Sequence, residues 1–454
     1  MQDINEMLKA TEQYMYDIDD LSLDITEELY SVYDEAAKIV TTNIKNMDPE
    51  LRVELNDRQD RLVDRIIELL PSDKYKNFLN SNHGVYSPSR DYTPMWTNAS
   101  LMQAFGLAGY MLAKEIGLIP VMYFGSKDID YSYLSILPEI EMIYFEPKST
   151  DDLSKAYVEY ILENYKKIDV LVLHGMYSNA LAYVKLYKKF RPDGKVYTSL
   201  DMNVGWMNRI TWDDEEHKNY AKNNDIISDG NRLIRDELNR NPNVHFSCRW
   251  ISSGFYNPTK IQIVANPEKK ENIILTVGRI GTTQKNNEEL MIAFDYVANI
   301  LSDWSLRFVG TIEPEFQKYI DYFFTERPDL KSRIIFTGPI IDKKKLYEEY
   351  SKAKVFVLTS LHEGSPNVIA EALVHGCMFV TSDIDIADDI TNFNTLGKKY
   401  TRLNKEELAH ALIEVCTKAD EKGMKKHIPK ALDYADRYYD WEKNAKKLAY
   451  MLFR

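Results

Sequence analysis

The stretch Leu358-Thr-Ser-Leu-His-Glu363-Gly-Ser-Pro-Asn-Val-Ile-Ala-Glu371-Ala-Leu sets two carboxylates around the signals of a strand followed by a helix. The apolar run ends at Ser360. Ser365 is a good N-cap residue and Pro366 a favoured first helical residue, so a helix is expected to begin there. The backbone N–H groups around Asn367 and Val368 would then face the carboxyl edge of a sheet, where a helix N-terminus suits a phosphate group. Glu371 lies five residues beyond Pro366, about 7–8 Å along the axis. Glu363 lies in the loop before the helix, next to Gly364. Carboxylates beside an anion are unfavourable unless they accept hydrogen bonds from hydroxyls. A ligand with sugar hydroxyls on both sides of a diphosphate meets that condition, which describes a nucleotide sugar. Taken alone, the pair also reads as a helix-capping acid and a solvated helix residue.

A second feature falls at the same edge. Thr276-Val277-Gly278-Arg279 ends an apolar strand, and Lys285 follows in the next loop. Gly278 permits close backbone approach where strand meets loop. Arg279 and Lys285 place two cations that could neutralise a diphosphate leaving group without a metal. Either cation alone would pass for a solvated loop residue.

The elements needed to position these groups can be read from periodicity. Apolar runs at Ile273–Gly278, Leu306–Gly310, Ile334–Gly338, Val355–Ser360 and Met378–Ser382 read as buried parallel strands separated by helices or turns. A similar alternation runs through Leu118–Phe124, Met142–Phe145, Val170–His174 and Val196–Leu200, with helices at Asn98–Ile116, Leu153–Tyr165 and Asn179–Phe190. The polar segment Asn266–Asn272 separates the two series. Before them, residues 1 to 72 read as amphipathic helix, with Ile18, Leu21, Ile25, Leu29 and Val32 on one stripe. A hairpin docked on the body and a coiled-coil arm forming a homodimer are both open; the stripe spans few heptads, which favours docking. The expected organisation is α/β: a helical extension (1–72), two Rossmann-like domains (73–265 and 266–428), and a C-terminal helical segment (429–454).

Composition limits the class. The 454 residues are 44% hydrophobic and 28% charged, as in a globular chain of two domains. A formal charge of −13 argues against nucleic acid as the main partner. Cys248, Cys377 and Cys416 lie far apart, without the spacing of a disulfide framework or zinc site. The first residues lack a signal-peptide pattern, and no apolar stretch approaches the roughly 20 residues that span a bilayer. A cytoplasmic protein is expected, with peripheral contact to the inner membrane face open through Lys185, Lys188, Lys189 and Arg191. The Asp-x-Asp triplets at Asp128 and Asp383 raise a metal-dependent transferase, but acidic chains often produce such triplets.

The C-terminal half resembles the donor domain of family 4 glycosyltransferases, which have the GT-B fold and are mostly retaining and metal-independent. The resemblance rests on Val277-Gly-Arg279 with Lys285, Phe336-Thr-Gly-Pro339, Ala353–Ser360, and Glu363–Glu371 followed by Ala372 and Gly376. It implies two Rossmann-like domains facing across a cleft, and a hexosyltransferase-type enzyme using a nucleotide sugar, a UDP-sugar, with no cofactor and no metal. It further implies that Arg279 and Lys285 hold the diphosphate, that Glu363 approaches the transferred sugar and that Glu371 binds the ribose. Gly338, Pro339, Ile340 and Leu346 would border the base, and Gly364, Ser365, Pro366, Asn367 and Val368 would line the donor. Many relatives have Phe-Gly after the first Glu, where this chain has Gly364-Ser365-Pro366. Arg279 and Lys285 are also one residue further apart than usual. In the N-terminal half, His174 and Asp201 resemble residues at the acceptor side, although Leu200 replaces the His that commonly precedes the Asp. Asn82-His83-Gly84 is the one candidate for the glycine-rich loop after the first strand. The segment Tyr438–Glu442 resembles the approach to a last helix that crosses back to the first domain. The acceptor would be a glycan, a lipid-linked sugar or a protein. A sugar-nucleotide epimerase and a non-catalytic partner subunit of the same fold are the competing classes.

Overall fold

The computed structural model describes residues 101–124, 131–144, 158–176 and 178–453, the strand at 84–88, and scattered helical positions between 50 and 61. The expected helices at 1–49 and 62–72, the loop residues Asn82 and His83, and the triplet at Asp128–Asp130 lie outside the described residues. The chain divides into two compact units, residues 1–252 with 441–454, and residues 253–440.

The first unit contains a seven-stranded parallel sheet, in the order β3-β2-β1-β4-β5-β6-β7. Its strands are β1 (Gly84–Pro88), β2 (Ile119–Phe124), β3 (Glu141–Tyr144), β4 (Ile168–His174), β5 (Lys195–Ser199), β6 (Ile226–Asp229) and β7 (Cys248–Trp250). Its helices include α1 (Ala104–Ile116), α2 (Ser178–Phe190), α3 (Val204–Met207), α4 (Glu215–Asn223) and α5 (Arg232–Arg240). β4 is buried almost throughout, which is why Ile-Asp-Val-Leu-Val-Leu reads as a nearly unbroken apolar run. Glu50 and Asp57 pair with Arg240 and Arg235 of α5 at 2.9 and 2.6 Å, and Val53 is buried. This part of the N-terminal segment therefore lies against the body of its own unit.

The second unit contains a six-stranded parallel sheet, in the order β10-β9-β8-β11-β12-β13. The strands are β8 (Glu271–Val277), β9 (Ser305–Val309), β10 (Ile334–Gly338), β11 (Ala353–Leu358), β12 (Met378–Ser382) and β13 (Gly397–Tyr400). The helices are α6 (Asn287–Val297), α7 (Pro314–Glu326), α8 (Lys343–Lys352), α9 (Asn367–Val374), α10 (Ala387–Thr391), α11 (Lys405–Lys418) and α12 (Glu421–Tyr438). Side chains alternate across the sheet. Ile274, Val355 and Val357 pack with Leu290, Phe294 and Leu412, while Leu275, Phe356 and Leu358 pack with Tyr350, Leu373 and Tyr434. Both sheets reverse direction beside their first strand, the doubly wound order whose switch point lies between β1 and β4, and between β8 and β11.

The last helix, α13 (Trp441–Phe453), belongs to the first unit and packs against α1. The expected start of that segment, 429, falls inside α12, which stays in the second unit and continues through Pro429. The boundary at 252/253 lies ahead of the polar segment 266–272.

Candidate active site

In the second unit, Gly278, Arg279, Lys285 and Glu363 gather at the carboxyl ends of β8 and β11, at the switch point. Gly278 leaves β8 with φ +151°, a conformation open to glycine, and its amide donates to Val309 O (3.0 Å). The next strand mirrors it. Gly310 has φ +149°, and a Cβ there would lie 1.7 Å from Gly278 O. Two glycines thus let adjacent strand ends run closer than side chains would permit.

Hydrogen bonds join the loop after β8 to the loop after β11. Leu361 N donates to Gln284 O (2.8 Å), Thr359 Oγ1 to Lys285 O (2.8 Å), and Gln284 Nε2 to His362 O (3.0 Å). This stitching brings Lys285 Nζ to 2.5 Å from Glu363 Oε1, a pair whose side chains are 16% and 8% exposed. Arg279 is exposed, and its Nη2 donates to Gln284 Oε1 at 3.2 Å. Gly278, Arg279, Lys285, Thr359 and Ser360 line a narrow opening at this edge. The Ser360 hydroxyl is buried there without a hydrogen-bond partner among the described residues. A buried polar atom left in this way favours a ligand that can bond to it.

The helix that follows starts one residue later than expected. Pro366 is its N-cap, with extended backbone (ψ 126°), and Asn367 is the first helical residue. Ser365 does not cap the helix, because its hydroxyl accepts from Ser253 N at 3.1 Å. No side chain caps α9. Ile369 N already donates to Pro366 O at 3.1 Å, and the helix dipole favours an anion beside this end of α9.

Glu371 lies further along α9, where two side chains of α8 reach it. Lys343 Nζ donates to Oε1 at 2.9 Å and Tyr350 OH to Oε2 at 2.8 Å. Lys343, Tyr347 and Tyr350 recur at i, i+4 and i+7, one stripe of α8 facing the Glu371–His375 stripe of α9. That spacing is visible in the sequence and was the available signal for Lys343 and Tyr350; nothing in the sequence singled out Gln284. Gly338 closes β10, exposed Pro339 follows it, and Ile340 is half-buried beside the core. Leu346 differs from the expectation: it is 8% exposed and packed in the core, because it lies on the sheet-facing side of α8.

In the first unit, His174 ends β4 at the switch point and its Nε2 lies 3.1 Å from Asp201 Oδ2. Asp201 holds φ +49°, a left-handed conformation that Asp tolerates better than most residues. The two expected residues are thus brought together by the turns after β4 and β5. Gly84 is not in a loop after the first strand. It opens β1, at the amino end of the sheet, opposite the edge that carries His174. Two of the four cations proposed to touch a membrane are committed elsewhere. Lys188 pairs with Asp225 at 2.8 Å and Arg191 with buried Asp169 at 2.5 Å. Among the described residues, no helix is long and apolar enough to cross a membrane. Among the same residues, no cluster of three or more His, Cys, Asp or Glu is arranged to hold a metal ion. Asp383 instead accepts from Arg402 N and Nε, both at 2.9 Å. The three cysteines are buried and none is in a disulfide.

Two doubly wound parallel sheets in one chain, the second with cations and carboxylates at its switch point, are the GT-B architecture. Solved structures share it. A glycosyltransferase from Rickettsia africae is similar over 81% of this chain and 97% of its own, with a TM-score of 0.62 and 15% identity. Sucrose-phosphate synthase from Thermosynechococcus elongatus matches over 81% and 97%, with a TM-score of 0.59 and 18% identity. Anabaena HepE, solved in complex with UDP and glucose, matches over 81% and 98%, with a TM-score of 0.57 and 13% identity. Residues 271–418, the segment that carries the candidate site, match the family model described as glycosyl transferases group 1. No curated protein matches the chain by sequence.

Proposed function

We propose that this protein is a glycosyltransferase that takes a sugar from a nucleoside-diphosphate donor, a UDP-sugar, and that the donor site is the carboxyl edge of β8 and β11. The observation that carries the reading is the junction of Arg279, the Lys285–Glu363 pair and the uncapped start of α9 at one switch point. In this reading Arg279, Lys285 and the first turn of α9 hold the diphosphate. As the bond from the sugar to the phosphate oxygen breaks, negative charge develops on the leaving group, and preorganised cations and amides stabilise that charge. Glu363 accepts hydrogen bonds from the transferred sugar, and Glu371 from the ribose. Gly338, Pro339 and Ile340 border the base. His174 and Asp201 serve the acceptor side, where the acceptor oxygen bonds to the anomeric carbon as the bond to phosphate breaks and its proton passes to the departing diphosphate. Transfer proceeds with retention and without a metal.

The reading is supported by the group 1 family match over the segment that contains the site, and by the shared fold of HepE, which binds UDP and glucose. The test is incubation with radiolabelled UDP-, GDP- and ADP-sugars in excess EDTA. A transferase releases the sugar slowly to water and faster to an acceptor. Interconversion of donor sugars would instead identify an epimerase. Nucleotide binding without either reaction would identify a non-catalytic subunit.

A further inference from the structure

We propose, resting on the donor reading above, that Tyr350 is the positioning residue of Glu371: a buried phenol that aims the carboxylate at the ribose hydroxyls. Tyr350 is wholly buried in the last turns of α8 and constrained at three points. Its carbonyl accepts from Lys270 Nζ at 3.1 Å and from the Cys377 thiol at 3.5 Å. Its ring stacks on His375 (centroids 5.5 Å apart, 19° between planes) and on Phe356 (5.9 Å, 28°). Its hydroxyl donates to Glu371 Oε2 at 2.8 Å. A phenylalanine would fill the same space, so packing explains the ring and leaves the hydroxyl to be explained. A buried hydroxyl costs free energy unless bonded, and this one is bonded to the site carboxylate.

His375 completes the frame. Its Nδ1 lies 2.6 Å from the carbonyl of Glu371, and a carbonyl only accepts, so Nδ1 carries the proton. Burial holds the imidazole neutral, with its pKa pushed down to about 4. Phenol and imidazole, stacked on each other, thus grip the side chain and the backbone of one glutamate. Lys343 takes the other oxygen, Oε1, from a more exposed position on a flexible stem. An ionised carboxylate offers about four acceptor positions. With two in use, one remains on each oxygen, which suits a vicinal pair of hydroxyls such as the 2′ and 3′ groups of ribose.

The experiment is calorimetry of the full-length protein with UDP, GDP and ADP and with their 2′-deoxy counterparts. The wild type should prefer the ribonucleotide of its base by about tenfold or more, one charged hydrogen bond. Tyr350→Phe should weaken the ribonucleotide about tenfold and the deoxynucleotide less, so that the preference shrinks. On a Glu371→Ala background, Tyr350→Phe should cost nothing further. An unchanged preference in Tyr350→Phe overturns the inference, as does an equal loss for both sugars or an undiminished loss on the Glu371→Ala background. Wild-type binding with no preference for ribose overturns it with no variant needed, and leaves the diphosphate assignment standing. Failure of the wild type to bind any nucleoside diphosphate ends the donor reading and this inference together.

Discussion

Replacing Glu363 by Gln separates binding from turnover at one residue. In the structure Lys285 Nζ is held 2.5 Å from Glu363 Oε1, in a pair that water scarcely reaches. A diphosphate arriving at Arg279 and Lys285 competes with that carboxylate for the ammonium and is repelled by its charge. Glu363→Gln removes both obstacles while keeping the side chain's size. A hydrogen bond to a charged group contributes about 1.5–3 kcal/mol. Because Lys285 has three N–H donors and need not leave Glu363 entirely, only part of this is recovered. UDP should therefore bind about three- to tenfold more tightly to Glu363→Gln than to the wild type. Turnover should fall at least about tenfold, because the transferred sugar loses a charged acceptor. Lys285→Ala should move affinity the other way, weakening UDP by about tenfold or more, and should lower stability by leaving a buried carboxylate without its cation. Calorimetry with UDP on the three proteins, with initial rates beside it, makes the comparison. If Glu363→Gln weakens UDP as Lys285→Ala does, the carboxylate belongs to the nucleotide and not to the sugar, and the assignment along this edge is wrong.

Arg279→Ala should weaken UDP about tenfold without moving the melting temperature, since Arg279 is exposed; unchanged affinity in calorimetry would remove it from the diphosphate site. Gly310→Ala should cost at least about 2 kcal/mol in urea unfolding, because the new methyl group would collide with the carbonyl of Gly278 at a positive φ; a wild-type midpoint would contradict this. Burial lowers the pKa of His427 to about 4, so the unfolded chain takes up a proton near pH 6.5 that the native chain refuses until about pH 4. Its contribution is present above pH 6.5 and lost as the pH falls towards 4. Relative to His427→Gln, the wild type should therefore lose about 3 kcal/mol between those limits, and parallel stability profiles for the two proteins would refute it. The same sign holds for His375, whereas Glu289, raised to about 7 by burial, acts in the opposite sense between pH 4.5 and 7.

The sheets were most legible where strands are covered on both faces. β8, β11 and β12 appear as apolar runs because each alternate residue meets a different helical layer. β6 and β7 escaped the reading, since they are short and place Ser228, Asp229 and Arg249 in buried positions. The edge strand β13 is Gly-Lys-Lys-Tyr and carries no apolar pattern. Glu363, Glu371, Arg279 and Lys285 stand out in the sequence because motif spacing is local. Their pairing does not, because Lys285 meets Glu363 only through hydrogen bonds between two distant loops. Ser365 carries the residue type of a cap, yet tertiary contact with Ser253 takes its hydroxyl. Lys343 and Tyr350 sit outside any motif, on a helix whose role is to frame its neighbour.

The return of the chain to its first unit at Trp441 has a bearing on synthesis. The second unit enters and leaves through adjacent backbone, with Phe255 N bonded to Tyr439 O at 2.6 Å and Phe255 bridged to Asp440. All of its residues are available once Asp440 has emerged from the ribosome, and its two ends fasten to each other. The first unit, although begun earlier, lacks α13, the helix that packs on α1, until Phe453 has emerged. Domains generally fold N-terminal first during synthesis, but a unit completed by a C-terminal helix departs from that order. Here the later-made unit can close first, and the earlier one waits with an open apolar face on α1 for the last helix to seal it.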